Sequence, residues 1–108
     1  MTTQNIKEGK KLAIVSYLTF IGLIISIVMN LEKRNSFTFF HIRQMLGLIV
    51  MLLISNSVEK YINSWVGTTL WAITLFCWIF GIAMAIKEET KPIPVVGEFF
   101  QKWFAAVK

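Results

Sequence analysis

Apolar residues fall into three long blocks separated by short polar segments, and this pattern predicts helices that cross a membrane. The longest block is residues 61–86, which has 26 positions and no charged side chain. A helix of that length is about 39 Å long, whereas the hydrocarbon core of a bilayer is about 30 Å thick. A soluble domain of 108 residues has no use for a helix that is apolar on every face over this distance. Residues 61–86 are therefore predicted to span a membrane.

The first block, 12–31, holds 20 residues without a charge and follows a polar, basic tail at 1–11. A cleaved signal peptide is the alternative interpretation. The run is longer than the usual 7–15 apolar residues, and no small-x-small cleavage site follows it. We therefore predict a retained spanning helix, in which Ser16, Thr19 and Ser26 bond back to carbonyls of their own helix.

The middle block, 37–58, is unusual because His41 and Arg43 lie within its first two turns. Taken as one helix, the block has 22 residues, which is enough to span, and the long stem of Arg43 can carry its charge back to the headgroups. The alternative is an interfacial helix over 37–44 that turns at Gly47 into a half-span. The single spanning helix is the prediction retained here.

Beyond the third block, Pro92 and Pro94 prevent the helix from continuing. In the segment 95–107 the apolar residues recur every three to four positions, which is typical of one helical face. This segment is too short to span and too aromatic to stay in water, so it is predicted to lie in the membrane surface. Its expected anchors are Phe99, Phe100, Trp103 and Phe104. A groove on a partner protein would bind the same face.

Composition agrees with a membrane protein. Hydrophobic residues make up 56% of the chain, above the usual 45–50% of soluble domains. The net charge is +5, and the basic residues lie between apolar blocks, which fits membrane flanks better than nucleic-acid binding. The single cysteine, Cys77, excludes an intrachain disulfide, and the single histidine excludes a two-histidine metal site. With no phosphate loop or nucleophile elbow either, no enzyme, cofactor or metal is predicted.

Two sets of residues are candidates for contacts. The polar set at the start of the middle block either caps that helix at the interface or contacts a partner or lipid headgroup; it consists of His41, Arg43 and Gln44. Small residues four positions apart allow close helix packing. These predicted packing pairs are Gly22 with Ser26 and Gly81 with Ala85.

Three spans would place the tail 1–11 and the second connection on one side, with four Lys residues. The first connection with its flank and the C-terminal tail would share the other side, with seven Lys and Arg residues. The positive-inside rule then predicts a cytoplasmic C-terminus and an external N-terminus.

The run FFHIRQMLGL (39–48) resembles the "FHxRQ…L" signature of small bacterial membrane proteins. These are grouped with the import component of the chloroplast inner envelope, the "Tic twenty" type. The ending KPIPVVGEF, with Pro94 and Gly97, is similar to that family's "Y-x-x-P-x-x-G" motif but lacks its frequent tyrosine. The resemblance covers about residues 10–100. It implies a bacterial plasma (inner) membrane protein, related to plant proteins of a preprotein-conducting complex. Those plant proteins have a fourth span, which this chain replaces with the amphipathic tail.

The sequence thus predicts an all-α integral membrane protein with three transmembrane helices and a C-terminal amphipathic interfacial helix, in a single membrane domain. The expected function is that of a non-enzymatic accessory subunit of a larger membrane complex, in protein translocation or insertion. The alternative is a homo-oligomeric small-solute or ion channel, although no charged residue lies deep in a predicted span. The expected partners are membrane lipids and other integral membrane proteins, with no nucleic acid.

Overall fold

The computed structural model describes residues 3–107, and this part of the chain is helical throughout apart from short connections. The helices are α1 (Thr3–Leu18), α2 (Phe20–Lys33), α3 (Ser36–Tyr61), α4 (Ser64–Ile86) and α5 (Gly97–Trp103). The predicted all-α class is confirmed. Two of these helices, α3 and α4, are long and apolar enough to cross a membrane. Met1 and Thr2 of the predicted tail, and the final Lys108, lie outside the described residues.

The predicted first spanning helix, 12–31, is wrong as a single helix because the chain turns back at Thr19. The Ser26 hydroxyl donates a hydrogen bond to the Leu12 carbonyl oxygen over 2.7 Å. In one continuous helix these two positions would be about 21 Å apart. α1 and α2 therefore lie antiparallel, and we call the pair the α1–α2 hairpin.

Local contacts around Thr19 close this hairpin. Thr19 has an extended backbone (φ −156°, ψ 171°), and its hydroxyl accepts a 3.0 Å hydrogen bond from the Gly22 N–H, which caps α2. Gly22 packs on the Val15 carbonyl oxygen so closely that a Cβ would overlap that oxygen. Ser16 bonds to a carbonyl of its own helix, as expected. The same expectation is wrong for Thr19 and Ser26, whose hydroxyls form the cap and the bond between the two arms.

Asparagine and threonine side chains hold the start of α3 against both arms of the hairpin. Asn35 caps α3 by accepting from the Thr38 N–H at 3.1 Å, and its amide donates to the Asn5 carbonyl oxygen at 2.7 Å. The Asn35 N–H donates to the side-chain oxygen of Asn30, which is fully buried. The Thr38 hydroxyl donates to the Gly9 carbonyl oxygen at 2.9 Å. α1 and α3 therefore start at the same end of the molecule and run in the same direction.

α3 and α4 form a longer hairpin with its turn at residues 62–63. α3 continues to Tyr61, beyond the predicted end at 58, and α4 begins at Ser64, three residues later than predicted. These helix ends differ from the predicted ones for two reasons. The polar residues before the turn stay helical, and Asn63 caps the first N–H groups of α4. α3 is also unbroken at Gly47, so the alternative with a turn there is wrong.

The α1–α2 hairpin covers only one half of this longer hairpin. The Trp78 indole N–H donates to the Tyr17 carbonyl oxygen, near the tip of the α1–α2 hairpin, over 2.6 Å. Trp78 lies eight residues before the end of α4 at Ile86, so the tip reaches about 12 Å along α4. The rest of α3 and α4 extends beyond it, and the molecule measures 46 × 23 × 22 Å.

α5 is shorter than the predicted amphipathic helix 95–107 and spans Gly97–Trp103. It packs against α3 near the end where α1 and α3 begin. We call this end of the molecule the basic end, because most Lys and Arg side chains of residues 3–107 lie there. It consists of the first half of α1, the last turn of α2 with the α2–α3 connection, the linker 87–96 and α5.

Candidate functional site: a buried polar cluster and the docked C-terminal helix

His41 lies fully buried at the basic end and joins three parts of the chain. Its Nδ1 is 2.7 Å from the Tyr17 hydroxyl of α1, and its Nε2 is 3.0 Å from the Glu89 carbonyl oxygen after α4. A carbonyl only accepts, so Nε2 donates, and a neutral ring then accepts from the tyrosine at Nδ1. The rings of Tyr17, Phe37 and Phe40 meet the imidazole edge-on, with centroids 4.7–5.4 Å away. His41 is therefore a fully bonded structural link.

Gln44, one turn further along α3, is in a different situation. Only 1% of the residue is exposed, yet its side-chain oxygen and nitrogen have no hydrogen-bond partner in the described chain. Buried polar groups in proteins are nearly always paired, so such an exception needs an explanation. Nothing in the structure explains it.

Arg43 holds the C-terminal segment on α3. Its Nε donates to the Gln101 side-chain oxygen at 2.6 Å, and its Nη1 donates to the Val107 carbonyl oxygen at 2.9 Å. Gln101 also donates to the Phe40 carbonyl oxygen at 3.0 Å, so both ends of its amide are paired. The Arg43 guanidinium therefore has two acceptors inside the protein while the residue stays partly exposed, and its contact with lipid headgroups stays a prediction.

The four predicted aromatic anchors have different surroundings. Phe100 is 3% exposed and packs on Gly47, where a Cβ would overlap its ring. Phe104 is half-buried, whereas Phe99 and Trp103 are exposed. The predicted aromatic face is therefore divided between a protein-facing side, with Phe100, and an outward side, with Phe99 and Trp103.

The predicted small-residue pairs pack inside the protein. Gly22 and Ser26 contact α1, as described above, and Ala85 is fully buried. A Cβ at Gly81 would lie 2.7 Å from the Tyr17 ring. Gly22 and Ser26 therefore let α1 and α2 pack closely on each other, and Gly81 lets α1 approach α4.

An open apolar groove of about 300 Å³ lies between α3 and α4. Large side chains line it: Met45, Leu48, Ile49, Leu52, Trp71, Thr74, Leu75 and Trp78. The heptad spacing of the two tryptophans brings them to this common face. No three His, Cys, Asp or Glu side chains within residues 3–107 are placed to hold a metal ion.

Several polar residues that join the helices were not predicted from the sequence. Tyr17 and Asn30 lie in the apolar block 12–31, and Gln101 lies in the amphipathic segment 95–107. A fully buried asparagine such as Asn30 has to find partners, so an asparagine within an apolar stretch is a signal for a turn or a buried bond. The partners of Tyr17 and Gln101 lie 24 and 58 residues away in the sequence. No local pattern indicates such contacts.

No protein-family profile, curated protein or solved structure matches this chain. The resemblance to the "Tic twenty" family therefore stays a prediction.

Proposed function

We propose that this chain is an integral membrane protein in which α3 and α4 span the bilayer, with the α1–α2 hairpin entering from the basic end to about mid-depth. The uncovered surface of α4 supports this proposal most directly. Its most apolar window is only 22% buried inside the protein, against 56% for α3. A core helix of a soluble protein would be mostly buried. Large apolar side chains of α4 instead point outward, among them Trp71, Ile73, Phe76 and Ile79.

The dimensions of the molecule agree with this arrangement. Residues from His41, level with the end of α4, to Tyr61 cover about 30 Å of helix, which matches the thickness of the hydrocarbon core. The tip of the α1–α2 hairpin, at about 12 Å, would then lie near the middle of the bilayer. Several backbone groups of the turn have partners inside the protein, as an apolar layer requires. The Gly22 N–H donates to the Thr19 hydroxyl, the Leu23 N–H donates to the Thr19 carbonyl oxygen, and the Tyr17 carbonyl oxygen accepts from Trp78. In this arrangement the hairpin takes the place of the predicted first span, 12–31.

The biochemical role that we propose is that of a non-enzymatic accessory subunit of a larger membrane assembly. The support is that α4 and the apolar groove offer a continuous surface that the chain itself leaves uncovered. The resemblance stated above makes protein translocation or insertion in the bacterial plasma membrane the candidate process. A half-depth hairpin is compatible with such a role. It displaces lipid from one leaflet, and no part of it occupies the other leaflet.

A homo-oligomeric channel has less support. Towards the basic end, the buried polar side chains of residues 3–107 have hydrogen-bond partners inside the protein, apart from Gln44. In the other half of the α3–α4 hairpin, Ser55 and Thr74 donate to carbonyls of their own helices. These residues offer no polar path across the apolar layer.

Photo-crosslinking in membranes tests the subunit proposal. A photoreactive side chain replaces Phe76, which is 71% exposed on α4, and a matched control replaces Ile21, which is 69% exposed on α2. We expect one defined protein partner, identified by mass spectrometry, from position 76 and not from position 21. Lipid adducts alone at both positions would contradict the proposal, and adducts between two copies of the chain would favour the channel.

A further inference from the structure

The two ends of the molecule differ strongly in charge. Residues 3–107 contain ten Lys and Arg side chains, and nine of them belong to the basic end or lie within two turns of the start of α3. Five glutamates accompany them, which leaves a formal charge of +4. The opposite end, around the α3–α4 turn, carries only Glu59 and Lys60, which cancel.

The folding of the α1–α2 hairpin creates this asymmetry by bringing distant charged segments to one level. Lys10 of α1 lies 3.9 Å from Glu88, just after α4. The bonds from Asn35 to Asn5 and from His41 to Glu89 place the α2–α3 connection and the linker beside them. Basic residues from four separate segments therefore surround one end of an apolar structure.

Exposed aromatic residues accompany this charge. Phe99 is 51% exposed and Trp103 is 67% exposed on the outward side of α5, with Lys102 exposed between them. Their helix is fixed by Phe100 and by the Arg43–Gln101 bond, so the rings have a defined position at the edge of the apolar layer. Amphipathic aromatic rings next to lysine are typical of the membrane–water interface.

We infer that the basic end is a binding surface for the headgroups of anionic phospholipids. The inference rests on the proposed membrane location. An anionic headgroup is the ligand that complements this positive charge. Each lysine near an anionic leaflet contributes about 1 kcal/mol to the binding free energy, which corresponds to about a fivefold higher affinity. The exposed rings of α5 insert between the acyl chains of the same lipids.

Native mass spectrometry of the full chain from nanodiscs tests this inference, using equal parts of phosphatidylglycerol and phosphatidylcholine. We expect the chain to retain phosphatidylglycerol over phosphatidylcholine by about fivefold or more. The variant carries Lys33→Gln, Lys87→Gln and Lys102→Gln, three exposed positions on three segments of the basic end. It is expected to lose this preference. Lys60→Gln, at the opposite end, is the matched control and is expected to retain it.

A second measurement does not depend on any variant. Raised salt screens exposed charges, so the preference of the natural chain is expected to fall as the salt concentration increases. Equal retention of the two lipids, or the same loss in Lys60→Gln as in the triple variant, would overturn the inference. Extraction of the chain by alkaline carbonate from vesicles of either lipid would instead contradict the proposed membrane location itself.

Discussion

Two glutamine side chains, Gln44 and Gln101, differ in whether their amide atoms have partners. Those of Gln44 have none in the described chain, whereas Gln101 is bonded at both ends. We expect Gln44→Met to stabilise the protein by about 1–3 kcal/mol, because it removes two buried unpaired groups and keeps the volume. Gln101→Met, the matched control, is expected to be destabilising. Thermal unfolding in detergent measures both. A loss of stability in Gln44→Met would contradict the expectation that the buried amide of Gln44 is unpaired.

Arg43 is the second residue whose role the structure defines. We expect Arg43→Lys to leave the protein inserted and folded, because either cation is tolerated near the interface. A lysine cannot donate to Gln101 and Val107 with the geometry of the guanidinium, so the tail is expected to loosen. Hydrogen bonds to a charged group contribute about 1.5–3 kcal/mol. We therefore expect their loss to raise the rate of amide hydrogen exchange in residues 97–107 by about tenfold or more.

Hydrogen exchange of the reconstituted protein measures this effect, and Lys102→Arg on the outer side of α5 is the control. Unchanged exchange in Arg43→Lys would contradict the positioning role of the guanidinium. Loss of a bound partner, with the tail unchanged, would assign Arg43 to an intermolecular contact instead.

At the scale of elements, α5 is attached by two different surfaces. Phe100 faces Gly47 inside the protein, whereas Trp103 faces outward. Phe100→Ser is therefore expected to release the tail in detergent and in lipid alike. Loss of a core aromatic side chain lowers stability by about 3–5 kcal/mol. Trp103→Ser is expected to leave the tail docked in detergent and to weaken its contact with lipid only. A spin label at Lys102 reports the mobility of the tail in both environments. Equal effects of the two substitutions would refute this division.

The α1–α2 hairpin depends on a close approach at its tip, which gives a second prediction at this scale. We expect Gly22→Leu to force the arms apart, because even a Cβ overlaps the Val15 carbonyl oxygen. Spin labels at Lys11 and Lys33 measure the separation by electron paramagnetic resonance. A continuous helix would place these positions about 33 Å apart, whereas in the closed hairpin both lie at the basic end, well below that distance. Ile21→Leu, an exposed neighbour, is the control and should leave the distance unchanged.

For the whole molecule, the hairpin changes the expected membrane topology. The start of α1, the α2–α3 connection and the C-terminal segment share one end, and the turn at residues 62–63 forms the other. Nine Lys and Arg side chains of residues 3–107 lie at the shared end and one, Lys60, lies at the other, so the positive-inside rule predicts that both terminal segments face the cytoplasm. This differs from the three-span topology, which places the two termini on opposite sides.

Cysteine labelling in intact cells separates the two topologies, in a Cys77→Ala background. We expect an impermeant reagent to label Ile62→Cys from outside and to reach Lys7→Cys, Lys33→Cys and Lys102→Cys only after the cells are opened. If the chain had three spans, Lys7→Cys and Ile62→Cys would lie on the same side of the membrane and would be labelled together. That pattern would show that residues 12–31 cross the membrane as one helix.

The sequence by itself determined the helical class, the two blocks that are long and apolar enough to cross a membrane, and the separation of a short aromatic tail. These features follow from composition and periodicity within one segment, and α3 and α4 lie within three residues of their predicted ends. The tertiary structure decided the direction of the first block and the partners of the polar residues. A hydropathy pattern records that 12–31 is apolar but not that Gly22 packs on Val15, because that contact exists only after the chain has turned at Thr19. Arg43 likewise finds Gln101 only when α5 docks, since 58 residues separate them in the sequence.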